Sequence, residues 1–387
     1  MIRTLLLLVC ATGQEPPSIQ SFNDAMEAQL QEYKIPGGSL AVAKDGRLVH
    51  ARGYGLADVD AKTPVEAGSL FRIASISKPI TAVAILKLAQ EGRLDLDAKA
   101  FTLLDIELEK ADPRLVDITI RQLLQHTGGW DREKSGDPMF RPFDIASEFG
   151  VPLPPDPAAI IRFVVRRPLD SDPGTKHAYS NFGYCVLGRV IEKITGEPYE
   201  AHVRKAVLAP MGITTMRLGR TLVDERAPGE VRYYPVSGAQ ARPVFESIKS
   251  KDVPWPYGGF CLESMDAHGG WLASAPDLVR FATSLDKVLD EKSRALMVER
   301  PAKLPAAPSY YACGWMVRPV GEGKRNVWHN GSLPGTSTLL VIRNDGLVWA
   351  ALFNDRSRGE GKMDPALHKA ADAVTDWPSS DLFQRPK

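Results

Sequence analysis

Ser75 and Lys78 stand three residues apart in Phe71-Arg-Ile-Ala-Ser75-Ile-Ser77-Lys78-Pro79. Residues at i and i+3 share a helix face, so the Ser75 hydroxyl and the Lys78 amine can meet. A desolvated lysine so placed can take the serine proton and leave a nucleophilic oxygen. A helix start adds unpaired backbone N–H groups where an oxyanion develops. Pro79 fits only the first turn, which places the start of the helix at this motif. Alone the motif is weak, because Ser284-Leu-Asp-Lys287 repeats it.

Two later triplets add polar groups. Tyr179-Ser180-Asn181 lies between Asp172-Pro173-Gly174 and a helical run from Phe182. There Tyr179 can project its hydroxyl into a cleft and Asn181 can hold a substrate carbonyl. The plainer reading is a packed turn tyrosine and a helix-capping Asn181. Late in the chain comes Trp328-His329-Asn330-Gly331-Ser332, read as a strand. A glycine on an edge strand lets a substrate approach the backbone, and the Ser332 N–H could serve as an oxyanion donor. By itself His329 reads as an ordinary edge-strand histidine.

In that order, Ser-x-x-Lys, Tyr-x-Asn and a late His-x-Gly triplet resemble the serine β-lactamase and penicillin-recognising enzyme superfamily. The pattern is most similar to class C β-lactamases, D-alanyl-D-alanine carboxypeptidases and family VIII carboxylesterases. Supporting segments are Pro36-Gly-Gly-Ser-Leu-Ala-Val, Leu123-Leu-Gln-His-Thr-Gly-Gly, Asp172-Pro-Gly-Thr, Gly269-Gly-Trp-Leu-Ala-Ser and Leu333-Pro-Gly-Thr-Ser. The resemblance implies Ser75 as the acylated nucleophile, Lys78 as its proton partner and Tyr179 as a proton shuttle. It implies substrate contacts from Asn181, His329 and Gly331, and an oxyanion hole from the Ser75 and Ser332 N–H groups. Lys78 and Tyr179 are treated as one coupled unit. No metal or organic cofactor is implied.

His329 stands where class C β-lactamases carry a lysine that helps hold the drug's carboxylate. A histidine near its ordinary pKa of about 6.5 is mostly neutral at pH 8. Uncharged esters are therefore expected to outperform carboxylate-bearing β-lactams, with the gap widening from pH 6 to 8. The first reading is an esterase on small acyl esters. The alternatives are a D-alanyl-D-alanine carboxypeptidase, a β-lactamase, or a penicillin-binding sensor without turnover. His126-Thr127-Gly128 mimics the third motif but ends a helix ahead of Tyr179, so His126 is expected to close a loop near the site.

The elements that must position these groups follow from periodicity and caps. A helix is expected from Ile19, with Phe22, Met26, Leu30 and Tyr33 at helical spacing, then a hairpin of Ser39–Lys44 and Arg47–Arg52 about Asp45-Gly46. Helices are expected over Ile76–Glu91, Thr119–Gln125, Ala158–Arg167, Phe182–Thr195, Asp277–Leu285 and Pro365–Val374. Strands are expected over Gly314–Arg318, Arg325–His329, Thr338–Arg343 and Leu347–Asn354. Residues 131–157 and 221–259 read as long functional rims. The fold class is α/β (α+β): an antiparallel sheet flanked by helices with an inserted all-helical domain, β-lactamase/transpeptidase-like. Residues 19–75 and 265–380 would form the α/β domain and residues 76–264 the mostly helical insertion.

Composition narrows the partners. The 387 residues are 44% hydrophobic and 25% charged, with 48 Lys and Arg against 47 Asp and Glu. A net charge of +1 gives nucleic acid no basic field, and no apolar run is long enough for a transmembrane segment. The expected partner is a small-molecule acyl substrate: an ester, a β-lactam or a D-amino-acid peptide. Met1-Ile2-Arg3, an apolar Leu5–Ala11 and a small-residue end read as a signal peptide over residues 1–13, implying export to the periplasm or medium. Cys10 faintly suggests a lipid-bearing leader. Cys185, Cys261 and Cys313 form no disulfide framework and no metal motif.

Overall fold

The structure is a computed structural model, and it describes residues 19–108, 111–248, 252–356 and 360–384. The expected leader and Cys10 lie outside the described residues. The chain opens with a helix, Gln20–Tyr33, closed by Lys34 in the left-handed region. Next come β1 (Gly37–Lys44) and β2 (Arg47–Asp58), joined through Asp45 and Gly46 at φ +50° and +78°. Both turn residues in the left-handed region match the right-handed twist of a tight hairpin.

The remaining strands are β3 (Thr63–Pro64), β4 (Phe71–Arg72), β5 (Arg217–Leu218), β6 (Gln240–Ala241), β7 (Val253–Pro254), β8 (Trp271–Ala273) and β9 (Tyr310–Tyr311). They are followed by β10 (Met316–Gly321), β11 (Lys324–Leu333), β12 (Thr336–Ile342) and β13 (Leu347–Phe353). Eight of them form one antiparallel sheet in the order β3-β2-β1-β13-β12-β11-β10-β9. The first and last parts of the described chain thus meet where β1 pairs with β13.

Along the central strands β1, β12 and β13 both faces of the sheet are buried, because side chains alternate and each face has a helical cover. On one face Leu40, Val42, Leu339, Val341, Trp349 and Ala351 pack with Phe22 and Met26 of the first helix and Met363 and Leu367 of the last. On the other, Ala41, Ala43, Leu340, Ala350 and Leu352 join the larger core. That core runs into the helices Ser77–Gln90, Pro157–Val165, Asn181–Thr195 and Ala275–Thr283. The last helix begins at Glu360, a turn before the expected start, with Pro365 inside it.

The expected edge position of the His329 strand is only half met. β11 is an interior strand, paired with both β10 and β12, because Met316–Gly321 folds back along it as far as Trp328. From His329 to Leu333 it pairs with β12 alone, and that open edge adjoins the Ser75 turn. Among the described residues no helix is long and apolar enough to cross a membrane. Cys185, Cys261 and Cys313 are buried free thiols.

Candidate functional site

Ser75 lies in a short 3-10 turn, Ala74–Ile76, that leads into the helix Ser77–Gln90. From Phe71 to Ile80 every residue but Ser75 is buried. The turn is pinned from several sides. The Thr336 and Thr338 hydroxyls on β12 donate to the Arg72 and Ile73 carbonyls at 3.0 Å each. Ile73 N–H donates to the Trp271 carbonyl at 2.9 Å, and Ser77 Oγ accepts from Trp271 N–H at 3.3 Å. Ala74 is held at φ +48°, a conformation L side chains rarely adopt. The surrounding bonds keep this kink in place and lift Ser75 toward the cleft.

Lys78 is fully buried. Its Nζ lies 3.1 Å from Ser75 Oγ and donates to Asn181 Oδ1 at 2.7 Å and to the His268 carbonyl at 2.9 Å. Burial pulls its pKa well below the ordinary lysine value; Asp137 opposes that and Arg132 reinforces it. A neutral amine has two N–H groups and one lone pair. The two carbonyl oxygens take the N–H groups and leave the lone pair for the Ser75 hydroxyl. This arrangement can accept a proton from Ser75.

Tyr179 is partly buried and hydrogen-bonds to Ser75. Lys78 Nζ and the Arg132 guanidinium lie 4.7 and 4.9 Å from its ring centre. Burial raises its pKa well above the ordinary tyrosine value, with the Ser75 hydrogen bond opposing. Burial therefore favours the protonated phenol and disfavours the charged ammonium. Asn181 opens the helix Asn181–Thr195, whose cap is Ser180, its side chain accepting from Gly183 N–H. The Asn181 amide bridges the site: Oδ1 accepts from Lys78, and Nδ2 donates to Asp137 Oδ2 at 2.6 Å.

Ser75 and Asn181 line a cleft of about 240 Å³, together with Ser332, Asp137, Trp255 and Met265. Arg132 and Arg356 also reach its wall. His329 and Gly331, expected at the substrate, stand behind that wall. His329 is 3% exposed, with Nε2 at 3.0 Å from the Tyr311 hydroxyl and Nδ1 at 2.6 Å from the Asn330 carbonyl. Burial first, then Lys78, pushes its pKa down to about 3, against the Asn330 carbonyl. A Cβ on Gly331 would lie 2.3 Å from the Ile73 carbonyl oxygen and 2.2 Å from Thr338 Oγ1. Glycine is needed there so that β11 can sit against the Ser75 turn, rather than to admit a substrate.

The competing Ser284-x-x-Lys287 pair is not at a site: Ser284 is buried and Lys287 points to solvent. Sequence reasoning missed Asp137, Trp255 and the His268 carbonyl. The first two lie in the long rims read at 131–157 and 221–259, a signal for a region but not for a residue. Nothing local marks a backbone carbonyl as a lysine partner.

The Beta-lactamase family's sequence pattern matches residues 22–373. Protein flp of Staphylococcus aureus (strain N315) is 27% identical over 341 residues, which is 87% of this chain and 64% of that protein's length. This chain therefore spans under two thirds of that relative. An octameric penicillin-binding protein homologue from Pyrococcus abyssi superposes with a TM-score of 0.71 at 26% identity, covering 93% of this chain and 78% of that one. D-amino acid amidase from Ochrobactrum anthropi SV3 gives 0.72 at 23%, covering 93% and 99%, a likeness of fold. With the pattern running from the first helix to the last, the chain belongs to the Beta-lactamase family.

Proposed function

We propose that the protein is a serine hydrolase that works through an acyl-serine intermediate and acts on small acyl esters. One observation carries the reading: a fully buried Lys78 amine at 3.1 Å from Ser75 Oγ, its N–H groups taken by two carbonyl oxygens. Lys78 accepts the Ser75 proton as Oγ attacks the acyl carbon. The Ser75 and Ser332 N–H groups receive the oxyanion. Tyr179, protonated at rest, passes its proton to the leaving alkoxide and is restored through Lys78. Water then attacks the acyl-serine by the reverse relay, releasing the acid and regenerating Ser75. Asn181 orients the substrate carbonyl side while fixing Lys78.

The ester preference is supported only in part by His329, which is neutral and buried and offers no cation to a β-lactam carboxylate, since Arg132 and Arg356 on the cleft wall are cations that such a carboxylate can meet. A second reading, D-amino-acid amides or peptides, is favoured by Asp137. It is a carboxylate in the cleft wall able to hold a substrate ammonium, and an amidase of that substrate class shares the fold.

The test is parallel assay of p-nitrophenyl esters, nitrocefin, a D-amino acid amide and a D-Ala-D-Ala peptide, with Ser75→Ala as control. Rapid ester turnover lost in Ser75→Ala, with an acylating probe mapped to Ser75 by mass spectrometry, is the expected result. An adduct on another serine overturns the mechanism. A single stoichiometric burst without turnover marks a sensor, and preference for nitrocefin or the peptide displaces the ester reading.

A further inference from the structure

His126 takes no part in the relay just described, yet it grips Tyr179 from three directions. Its backbone carbonyl accepts from Ala178 N–H at 2.9 Å. Its Nδ1 accepts from Ser180 N–H at 3.2 Å. Its ring centre lies 4.3 Å from that of Tyr179, and at the same distance from Tyr311. His126 thus holds both flanks of Tyr179, Ala178 through its main-chain carbonyl and Ser180 through its side chain, and its ring packs against the Tyr179 ring. His126 sits at φ +54° and is 2% exposed.

The hydrogen bond to Ser180 fixes the tautomer. Since Nδ1 accepts, the ring proton is on Nε2, which is buried without a hydrogen-bond partner. A second proton on Nδ1 would break the Ser180 bond. Burial, with Lys78 close by, keeps it off. A buried N–H without an acceptor is costly, so it is tolerated for what the other side of the ring does.

We propose that His126 is a positioning residue for Tyr179, a clamp whose side-chain hydrogen bond to Ser180 N–H keeps the phenol hydroxyl on Ser75. This rests on the assignment of Tyr179 to the reaction. The clamp predicts which replacements work. Asn carries Oδ1 at the place of Nδ1 and tolerates positive φ, so His126→Asn keeps the Ser180 bond. His126→Gln places its acceptor one bond further out, and His126→Ala has none.

Steady-state kinetics on p-nitrophenyl butyrate, with melting curves for each variant, tests the proposal. His126→Ala and His126→Gln should lower kcat at least about tenfold with KM within about twofold, as for a misplaced proton carrier. His126→Asn should stay within about threefold of wild type. In a Tyr179→Phe background, His126→Ala should cost less than about twofold, because the group it positions is gone. Gln and Asn carry the comparison if the Ala variant fails to fold. Equal losses in Asn and Gln that follow their melting temperatures, or a full His126 effect without the Tyr179 hydroxyl, overturn the clamp. Wild-type turnover in Tyr179→Phe itself would instead remove Tyr179 from the mechanism. An impaired Tyr179→Phe beside an unimpaired His126→Ala removes this inference alone.

Discussion

At the scale of single residues, environment sets apart the two groups proposed to carry protons. Lys78 is pushed toward its neutral form and Tyr179 toward its protonated form, both chiefly by burial. Lys78→Ala should therefore abolish most acylation, while Tyr179→Phe should slow turnover with substrate binding better preserved. Each positioned proton transfer contributes about 10²–10⁴-fold, and pre-steady-state acylation rates distinguish the two. Near wild-type rates in both would sink the pairing. His329 corrects an expectation of pH dependence. With its pKa down at about 3 the imidazole stays neutral from pH 6 to 8. The ratio of kcat/KM for p-nitrophenyl butyrate over nitrocefin should accordingly owe no change to His329 across that range. A ratio that climbs steeply with pH in wild type, and flattens in His329→Asn, would show the ring titrating after all. Nor should His329→Lys rescue β-lactam hydrolysis, because the new ammonium would be buried beside Tyr311 rather than offered to a drug.

At the scale of elements, the site depends on how closely β11 approaches the Ser75 turn. Gly331→Ala puts a methyl group 2.3 Å from the Ile73 carbonyl oxygen and 3.1 Å from the Ala74 Cβ. Backbone must then move, and the turn carrying Ser75 is what it meets. A displacement of about 1 Å near the reacting atoms can cost about 10²-fold in rate. The variant should fold, bind an acylating probe slowly and lose about that much in kcat/KM; near-normal probe labelling would contradict the account. Much of this arrangement was legible in the sequence where a local rule governs it. The Asp45-Gly46 hairpin and the helix that stops at Gly196 stand where turn and cap chemistry place them, whereas Thr119, expected as the first helical residue, is the cap before it. What local rules cannot reach is partnership. The strand-like run at His329 gave no sign that Met316–Gly321 would cover half its edge. Gly331 spoke for close approach without saying that the neighbour is the Ser75 turn. That Ser75, Lys78, Tyr179 and Asn181 come together was readable because the order of their motifs resembles a known family. Asp137 and Trp255 were not, because each reaches the cleft from a rim with no period of its own.

At the scale of the whole molecule, the site leaves a signature in acid stability. His126, His268 and His329 are each at most 3% exposed, and burial depresses the pKa of all three. In the unfolded chain a histidine titrates near 6.5. Below that pH, then, the unfolded state binds protons that the native state refuses, and stability falls as pH drops. The sign is the reverse of a histidine that gains an acidic partner. Each such imidazole contributes a slope of about 1.4 kcal/mol per pH unit between its unfolded and native pKa values, opposed by Asp355, whose carboxyl is pushed up to about 6 by burial. Urea unfolding at pH 7.5, 6.5, 5.5 and 5.0 should show a plateau above about 7 and a loss that steepens below 6. His126→Asn removes one of the three groups without losing the Ser180 hydrogen bond, so its slope should be shallower by about 1.4 kcal/mol per pH unit. A wild-type stability that stays flat from pH 7 to 5 would mean that these imidazoles accept protons in place. The neutral, buried surroundings assigned to Lys78 and Tyr179 would then fail with them, since the same burial underlies both.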